Sequence, residues 1–78
     1  GLEVVLQRHV ESNGAIRWRL ALGRNDVAPS DDEIAICRKA FDVPVGTEHE
    51  AVKTKSRPSK KTGKLITWHI VEMYWYEA

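Results

Sequence analysis

Lysine and arginine residues concentrate between residues 53 and 64, and the chemistry that they offer is the electrostatic attraction of anions. Half of the chain's twelve basic residues and none of its eleven acidic residues fall in this window. The six are Lys53, Lys55, Arg57, Lys60, Lys61 and Lys64. Such a concentration is suited to nucleic acid, because each phosphate contact releases a counterion. The alternative is a solubilising hairpin whose lysines block edge-to-edge aggregation.

The spacing of these residues predicts a common face. Lys53, Lys55 and Arg57 are two residues apart, so in a strand their side chains project from one side. If Val52 points towards the helix, these three point away from it. The first hairpin carries two more basic residues with the same spacing, Arg17 and Arg19. We therefore expect one basic outer face, extended by a flexible loop that carries Lys60, Lys61 and Lys64.

Aromatic residues crowd the end of the chain. We expect Trp18 and Trp68 to lie in the core, because large aromatic side chains dominate the burial of a small domain. Tyr74 and Tyr76 are then the exposed pair. They could stack on unpaired bases or contact a protein partner or a second copy of the chain, since tyrosine is enriched at interfaces.

The sequence gives little support for a catalytic site or a metal-binding site. His9, His49 and His69 are far apart in sequence, and none has a second ligand at a recognised spacing. Cys37 lies on a predicted helix stripe, where a small buried thiol is ordinary. The sequence therefore predicts a non-catalytic protein with no metal and no cofactor.

Residues 2–22 predict a β-hairpin, because apolar and polar residues alternate along them. A two-residue Asn13-Gly14 loop would set apolar residues opposite basic ones. A three-residue loop, 12–14, instead sets Val10 opposite Ile16 and keeps the apolar residues on one buried face. It places Gly14 in a left-handed bulge position. The other predicted pairs are Leu6 with Leu20, Val4 with Leu22, and Arg8 with Trp18, whose ring the guanidinium could cover.

A helix over residues 31–41 follows a connecting loop at 23–29. Ser30 and Glu33 form a capping-box pattern, and acidic residues fill the first turn. The predicted buried stripe is Ile34, Cys37 and Phe41. Pro44 is expected to end the helix through its restriction of the preceding residue.

A second hairpin is predicted over residues 48–76, with strands at 48–56 and 65–76 and a basic loop at 57–64. The last strand changes its alternation midway: Ile66, Trp68 and Ile70 are even, whereas Val71, Met73 and Trp75 are odd. A β-bulge near residues 71–72 would keep both sets on one face. The alternative is a regular strand that is buried on both faces.

These elements predict a small single α+β domain spanning residues 1–78. The order is ββαββ, with a mostly antiparallel four-stranded sheet and the helix packed on one face. A length of 78 residues and 42% hydrophobic composition fit one such domain. The lone cysteine excludes an intramolecular disulfide.

The leading functional prediction is a non-catalytic module that contacts DNA or RNA phosphates through the basic hairpin, with Arg17 and Arg19 in support. The alternative is a small protein-binding or regulatory domain, such as an inhibitor or accessory subunit, that uses an exposed sheet edge or the Tyr74–Tyr76 patch. The sequence shows no apolar run long enough to cross a membrane and no signal-peptide pattern at its start. We expect a cytoplasmic location and no membrane partner.

Overall fold

The computed structural model describes the backbone of all 78 residues and every side chain except that of Lys53. Four strands form one antiparallel sheet in the order β1-β2-β4-β3, and a single helix packs on one face, as the sequence predicts. The elements are β1 (Glu3–Val10), β2 (Ile16–Asn25), α1 (Asp31–Ala40), β3 (His49–Pro58) and β4 (Leu65–Tyr76). Among the described residues, no helix has the length and apolar character needed to cross a bilayer.

The first hairpin adopts the predicted register. Val10 pairs with Ile16, Leu6 with Leu20, and Val4 with Leu22. The Glu11 N–H donates to the Ala15 carbonyl at 2.8 Å, which closes the three-residue loop. Gly14 has φ +86°, the left-handed conformation that the loop requires.

The apolar residues of β1 are on the predicted face but are not buried. Val4, Leu6 and Val10 remain 39%, 40% and 54% exposed. The helix has ten residues and is about 15 Å long, whereas the molecule is 47 Å long. The helix packs on the two central strands, β2 and β4, and leaves the edge strand β1 outside the core.

The core lies where α1 crosses the two central strands. Leu20, Leu22, Val71 and Met73 from the sheet meet Ile34 and Cys37 from the helix. None of the three tryptophans is fully buried, so the expectation that Trp18 and Trp68 lie in the core is wrong. The two tryptophans lie on opposite faces of the sheet. Trp18 is on the same face as the core residues Leu20 and Leu22, whereas Trp68 is on the face away from the helix.

Strand β2 is longer than predicted and continues through residues 23–25, which were expected to be a loop. Gly23 pairs with Glu3 on one side and Ile70 on the other. A Cβ atom at Gly23 would lie 2.5 Å from Cζ2 of Trp68, because the indole packs directly over the glycine. The glycine is thus a site of close side-chain approach within a strand and does not end it.

The helix begins as the sequence predicts. The Glu33 N–H donates to Oγ of Ser30 at 3.1 Å, and the Ser30 N–H donates to the Glu33 carboxylate at 2.9 Å. Arg24 from β2 also binds this carboxylate through both of its terminal nitrogens. The hydrogen bond from Arg24 is the main reason that the pKa of Glu33 is lowered to about 2.

The helix ends one residue earlier than predicted, for a different reason. Asp42 has φ +51°, and the Val43 N–H donates to the Arg38 carbonyl at 2.9 Å, which is a Schellman arrangement. The helix therefore stops at a left-handed residue before Pro44 can act. Phe41 caps the helix and is 38% exposed, so it is not part of the buried stripe.

The irregularity of the second hairpin lies in β3 instead of β4. The register of β3 shifts between Val52 and Lys55, whereas β4 pairs with β2 without interruption. Strand β4 is therefore regular, as in the second of the two predicted alternatives, but it is not buried on both faces. Val71 and Met73 are buried on the helix side, whereas Ile66, Trp68 and Ile70 on the outer face are half-buried. Val52 pairs with Ile70 before the bulge and is on the outer face of the sheet, so the assumption that it points towards the helix is wrong. The bulge that follows brings Lys55 onto the same face.

Candidate nucleic-acid interface

The β3–β4 hairpin extends beyond the rest of the sheet. The last residue of β2, Asn25, lies opposite Trp68. Strands β3 and β4 continue past this point to the Pro58–Leu65 pair, followed by the loop 59–64. The loop begins two residues later than predicted, so Arg57 is part of the strand. The result is a two-stranded ribbon with an exposed tip.

Hydrogen bonds around Ser59 shape the tip. The Ser59 N–H donates to the Lys64 carbonyl at 2.7 Å, and the Gly63 N–H donates to the Ser59 carbonyl at 2.9 Å. Gly63 has φ +70°, which a glycine tolerates without strain. Lys60, Lys61 and Lys64 are exposed around this turn. The turn thus holds three cations at the end of the ribbon.

The outer face of the ribbon has an apolar floor between basic walls. Ile66 pairs with Arg57, and Trp68 pairs with Lys55. These four residues and Asn25 line a shallow cavity of about 220 Å³. A second cavity, of about 380 Å³, continues from Arg57 and Ile66 towards Lys60 and Lys61. Cations therefore flank a half-buried aromatic ring and an aliphatic side chain along one continuous groove.

The structure brings together five of the six predicted basic residues of the hairpin. Lys55 and Arg57 are on the outer face, and Lys60, Lys61 and Lys64 are on the tip. The predicted role of Lys53 lies outside the described residues, because its side chain is not described. The two strand residues reach the outer face through the β3 bulge, and Val52 shares that face with them.

Arg17 and Arg19 are on the same outer face as the hairpin cations but lie at the other end of the sheet. They pair with Tyr76 and Tyr74 at the opposite end of β4. Asn25 and Lys55 both pair with Trp68, on opposite sides of β4. Because Asn25 is six residues after Arg19 in β2, the two basic groups are about 20 Å apart along the strand. The expected single basic surface is therefore two separate groups.

Acidic residues occupy the surface between these groups. Glu50 pairs with Glu72 across β3 and β4. Arg19 donates to the Glu72 carboxylate and, at 3.0 Å, to the side-chain oxygen of Gln7. Burial raises the pKa of Glu72, but hydrogen bonds from Tyr74 and Arg19 outweigh it and hold that pKa below its ordinary value. The charge of Arg19 is thus largely neutralised within the protein.

Tyr74 and Tyr76 are exposed as predicted, at 41% and 56%. Their hydroxyls donate to Glu72 at 2.6 Å and to Glu11 at 2.7 Å. The Arg17 guanidinium lies 5.1 Å from the centre of the Tyr74 ring. This is the cation–π contact found among the described side chains, instead of the one predicted between Arg8 and Trp18. Both rings are therefore fixed by contacts within the sheet.

The residues considered as metal ligands or catalytic groups do not form a cluster among the described side chains. Within the described side chains, no three histidine, cysteine or acidic residues converge to hold a metal ion. Cys37 is buried under the sheet, and burial raises the pKa of its thiol, which disfavours the reactive thiolate. His49 is in the β3 edge, where its Nδ1 lies 3.0 Å from Nη2 of Arg38.

Sequence reasoning missed Ile66 as part of the groove and Glu50 and Glu72 as the residues that divide the outer face. The even-numbered apolar series of β4 was the signal for Ile66, because a regular strand places it with Trp68. The acidic pair depends on the β3–β4 register, which no local pattern specifies.

Comparisons with protein-family models, with curated proteins and with solved structures returned no match. The functional conclusion therefore depends on the residues and their arrangement alone.

Proposed function

We propose that this protein is a non-catalytic nucleic-acid-binding module that contacts phosphates through the β3–β4 hairpin. The observation that carries the proposal is the groove lined by Lys55, Arg57, Ile66 and Trp68, with the lysines of the tip at its end. The cations neutralise phosphates, and the apolar floor accepts the face of a base or a sugar. Contacts of this kind give little sequence discrimination.

Charge segregation supports a local interface. The hairpin window 53–64 contains no acidic residue, although the chain carries a net charge of only +1. Acidic residues concentrate elsewhere, in the first turn of α1 and at the Glu50–Glu72 pair. A polyanion is therefore attracted to the hairpin and repelled from the rest of the surface. Arg17 and Arg19 are not included, because the acidic pair separates them from the groove.

The shape of the hairpin also supports this function. A two-stranded ribbon fits the major groove of a DNA duplex, which is about 12 Å wide. The alternative mode is a single strand that lies along the cavity and stacks a base on Trp68, worth about 1–3 kcal/mol per base. Both modes use the same basic residues of the hairpin to contact phosphates, so the test includes both kinds of nucleic acid.

The experiment is a salt series of binding to single- and double-stranded DNA and RNA of mixed sequence. Five described cations that each neutralise one phosphate of a duplex give a slope of roughly −4.5 in log affinity against log salt. Changing Lys60 and Lys61 together to alanine should flatten the slope by about two and weaken all sequences alike.

A matched control is Lys39→Glu on the exposed surface of α1. This single substitution alters the net charge by the same amount as the double variant but lies far from the hairpin. It should leave the slope unchanged if the interface is local. The proposal is wrong if the unmodified domain shows no salt-dependent binding even at low ionic strength, or if the control flattens the slope as much as the double variant.

The alternative function is protein binding at the opposite end of the sheet. An apolar cavity of about 390 Å³, lined by Leu6, Trp18, Phe41 and Trp75 among others, lies beyond the end of the helix there. Tyr74 and Tyr76 border the same end from the outer face. This function predicts no retention on nucleic acid at physiological salt and a loss of partner binding when both tyrosines become alanine.

A further inference from the structure

The two edges of the sheet differ in how they are protected. Strand β3 carries a bulge, a lysine at position 55 and a proline at its end, all of which discourage pairing with another strand. Strand β1 is eight residues long and has no proline, lysine or glycine, and its pairing with β2 is uninterrupted. Within the described chain, no strand pairs with its outer side.

The free hydrogen-bonding groups of β1 belong to its even-numbered residues. The Glu11 N–H bonds to Ala15 on β2, and bonding positions alternate along an antiparallel pair. The odd-numbered residues of β1 therefore bond to β2. Val4, Leu6 and Arg8 direct their N–H and C=O groups away from the sheet. These residues are also on the helix-side face, where the apolar side chains are exposed.

We propose that β1 pairs antiparallel with β1 of a second copy of this chain, so that the two sheets form one continuous eight-stranded sheet. A two-fold axis at Leu6 gives a register that spans residues 2–10. It sets Leu6 opposite Leu6 of the partner subunit and Leu2 opposite Val10 of the partner subunit on the helix-side face. On the outer face it sets Glu3 opposite His9 of the partner subunit.

This occupant is favoured because the strand is complementary to itself. Shifting the register by two residues sets Glu3 opposite Gln7 of the partner subunit in one direction and opposite Glu11 of the partner subunit in the other, so both shifts lose the Glu3–His9 pair. A shift by one residue would place the helices of the two copies on opposite faces, because side chains alternate along a strand. The register centred on Leu6 combines the Leu6–Leu6 and Leu2–Val10 apolar contacts with the polar Glu3–His9 pair, and it sets Val4 beside the aliphatic stem of Arg8 of the partner subunit.

The first test measures the mass of the intact chain in solution against concentration, without nucleic acid, by sedimentation or light scattering. We expect a concentration-dependent dimer. Leu6→Pro should abolish it, because the proline removes an outward N–H while leaving the bonds between β1 and β2 intact. The matched control uses lysine at both positions, because a proline at Ile36 would break α1. Leu6→Lys should weaken the dimer more than Ile36→Lys, since Ile36 is 67% exposed on α1, away from the β1 edge.

The second test is specific to the register. Glu3→Lys should weaken the dimer by about 2- to 30-fold, since two symmetric pairs lose their complementarity. Adding His9→Glu should restore it. Six residues, or about 20 Å, separate positions 3 and 9 within one copy, so restoration requires contact between copies.

The proposal is overturned if the unmodified chain remains monomeric at millimolar concentration, or if the dimer survives Leu6→Pro in a folded variant. A dimer that Ile36→Lys disrupts as strongly as Leu6→Lys also overturns it, because the contact is then not at the β1 edge. Failure of the charge exchange to restore dimerisation excludes the register centred on Leu6. Circular dichroism of each variant establishes that the monomer is folded.

Discussion

Replacing Gly23 with alanine tests the close approach between β2 and β4. A Cβ atom at this position would lie 2.5, 2.8 and 2.9 Å from three atoms of the Trp68 indole. Carbon atoms in favourable contact are about 3.5–4.0 Å apart, so the overlap is about 1 Å. Gly23 cannot move away easily, because Glu3 and Ile70 pair with it on either side. The indole must shift instead.

The expected cost is about 2 kcal/mol of unfolding free energy, which is typical of overpacking. For a domain of this size, it corresponds to a decrease in Tm of roughly 10 °C. Intrinsic preference predicts the opposite sign, because glycine within a strand is less stable than alanine by roughly 0.5–1 kcal/mol. The direction of the change alone therefore distinguishes the two explanations.

The assay is urea unfolding followed by circular dichroism, for Gly23→Ala alone and combined with Trp68→Leu. Removing the indole should remove the penalty, so that the alanine becomes neutral or stabilising in the second background. The resulting coupling energy is the quantity that the double-mutant cycle measures. The reasoning is refuted if Gly23→Ala is as stable as the unmodified protein, or if it loses the same free energy in both backgrounds.

Three further predictions concern local structure. Ser30→Ala should destabilise the domain by about 1 kcal/mol through loss of the N-cap bond, and an unchanged Tm would argue against that bond. Gly14→Val should cost on the order of 1–2 kcal/mol, because a β-branched residue resists the left-handed conformation, and equal stability in a urea titration would contradict this. The pKa of Glu33 is lowered to about 2 from its ordinary 4.5, so its stabilising contribution is present above the ordinary value and is lost as the pH falls towards 2. Glu33→Gln should therefore show a smaller loss of Tm between these two pH values, and identical acid profiles would refute the assignment.

The fold could be predicted where local rules and the hydrophobic pattern agree. The register around Gly14 followed from a requirement that apolar residues share a face, and the start of α1 followed from the Ser30–Glu33 spacing. Both depend on residues that are close in sequence. The same local reasoning placed Lys55 and Arg57 on the outer face, although it assumed a regular β3.

The remaining differences have tertiary causes. Exposure of Val4 and Val10 depends on how far α1 reaches across the sheet, which periodicity along β1 does not indicate. The extension of β2 through Gly23 depends on the indole of Trp68, which is 45 residues away in sequence. Separation of Arg17 and Arg19 from the hairpin depends on the register of β4 with its two neighbours, which sets Arg19 opposite Tyr74 and Lys55 opposite Trp68.

The distribution of the three tryptophans gives the protein two spectroscopic reporters. Trp18 and Trp75 are a cross-strand pair on the helix-side face, near the exposed part of β1. Trp68 is seven residues from Trp75, or about 23 Å along β4, and lies on the opposite face in the hairpin groove. Fluorescence from a variant that retains only Trp68 will therefore respond to occupancy of the groove. A variant that retains only the other two will respond to events at the far end of the sheet, so that each surface can be titrated separately with its own variant.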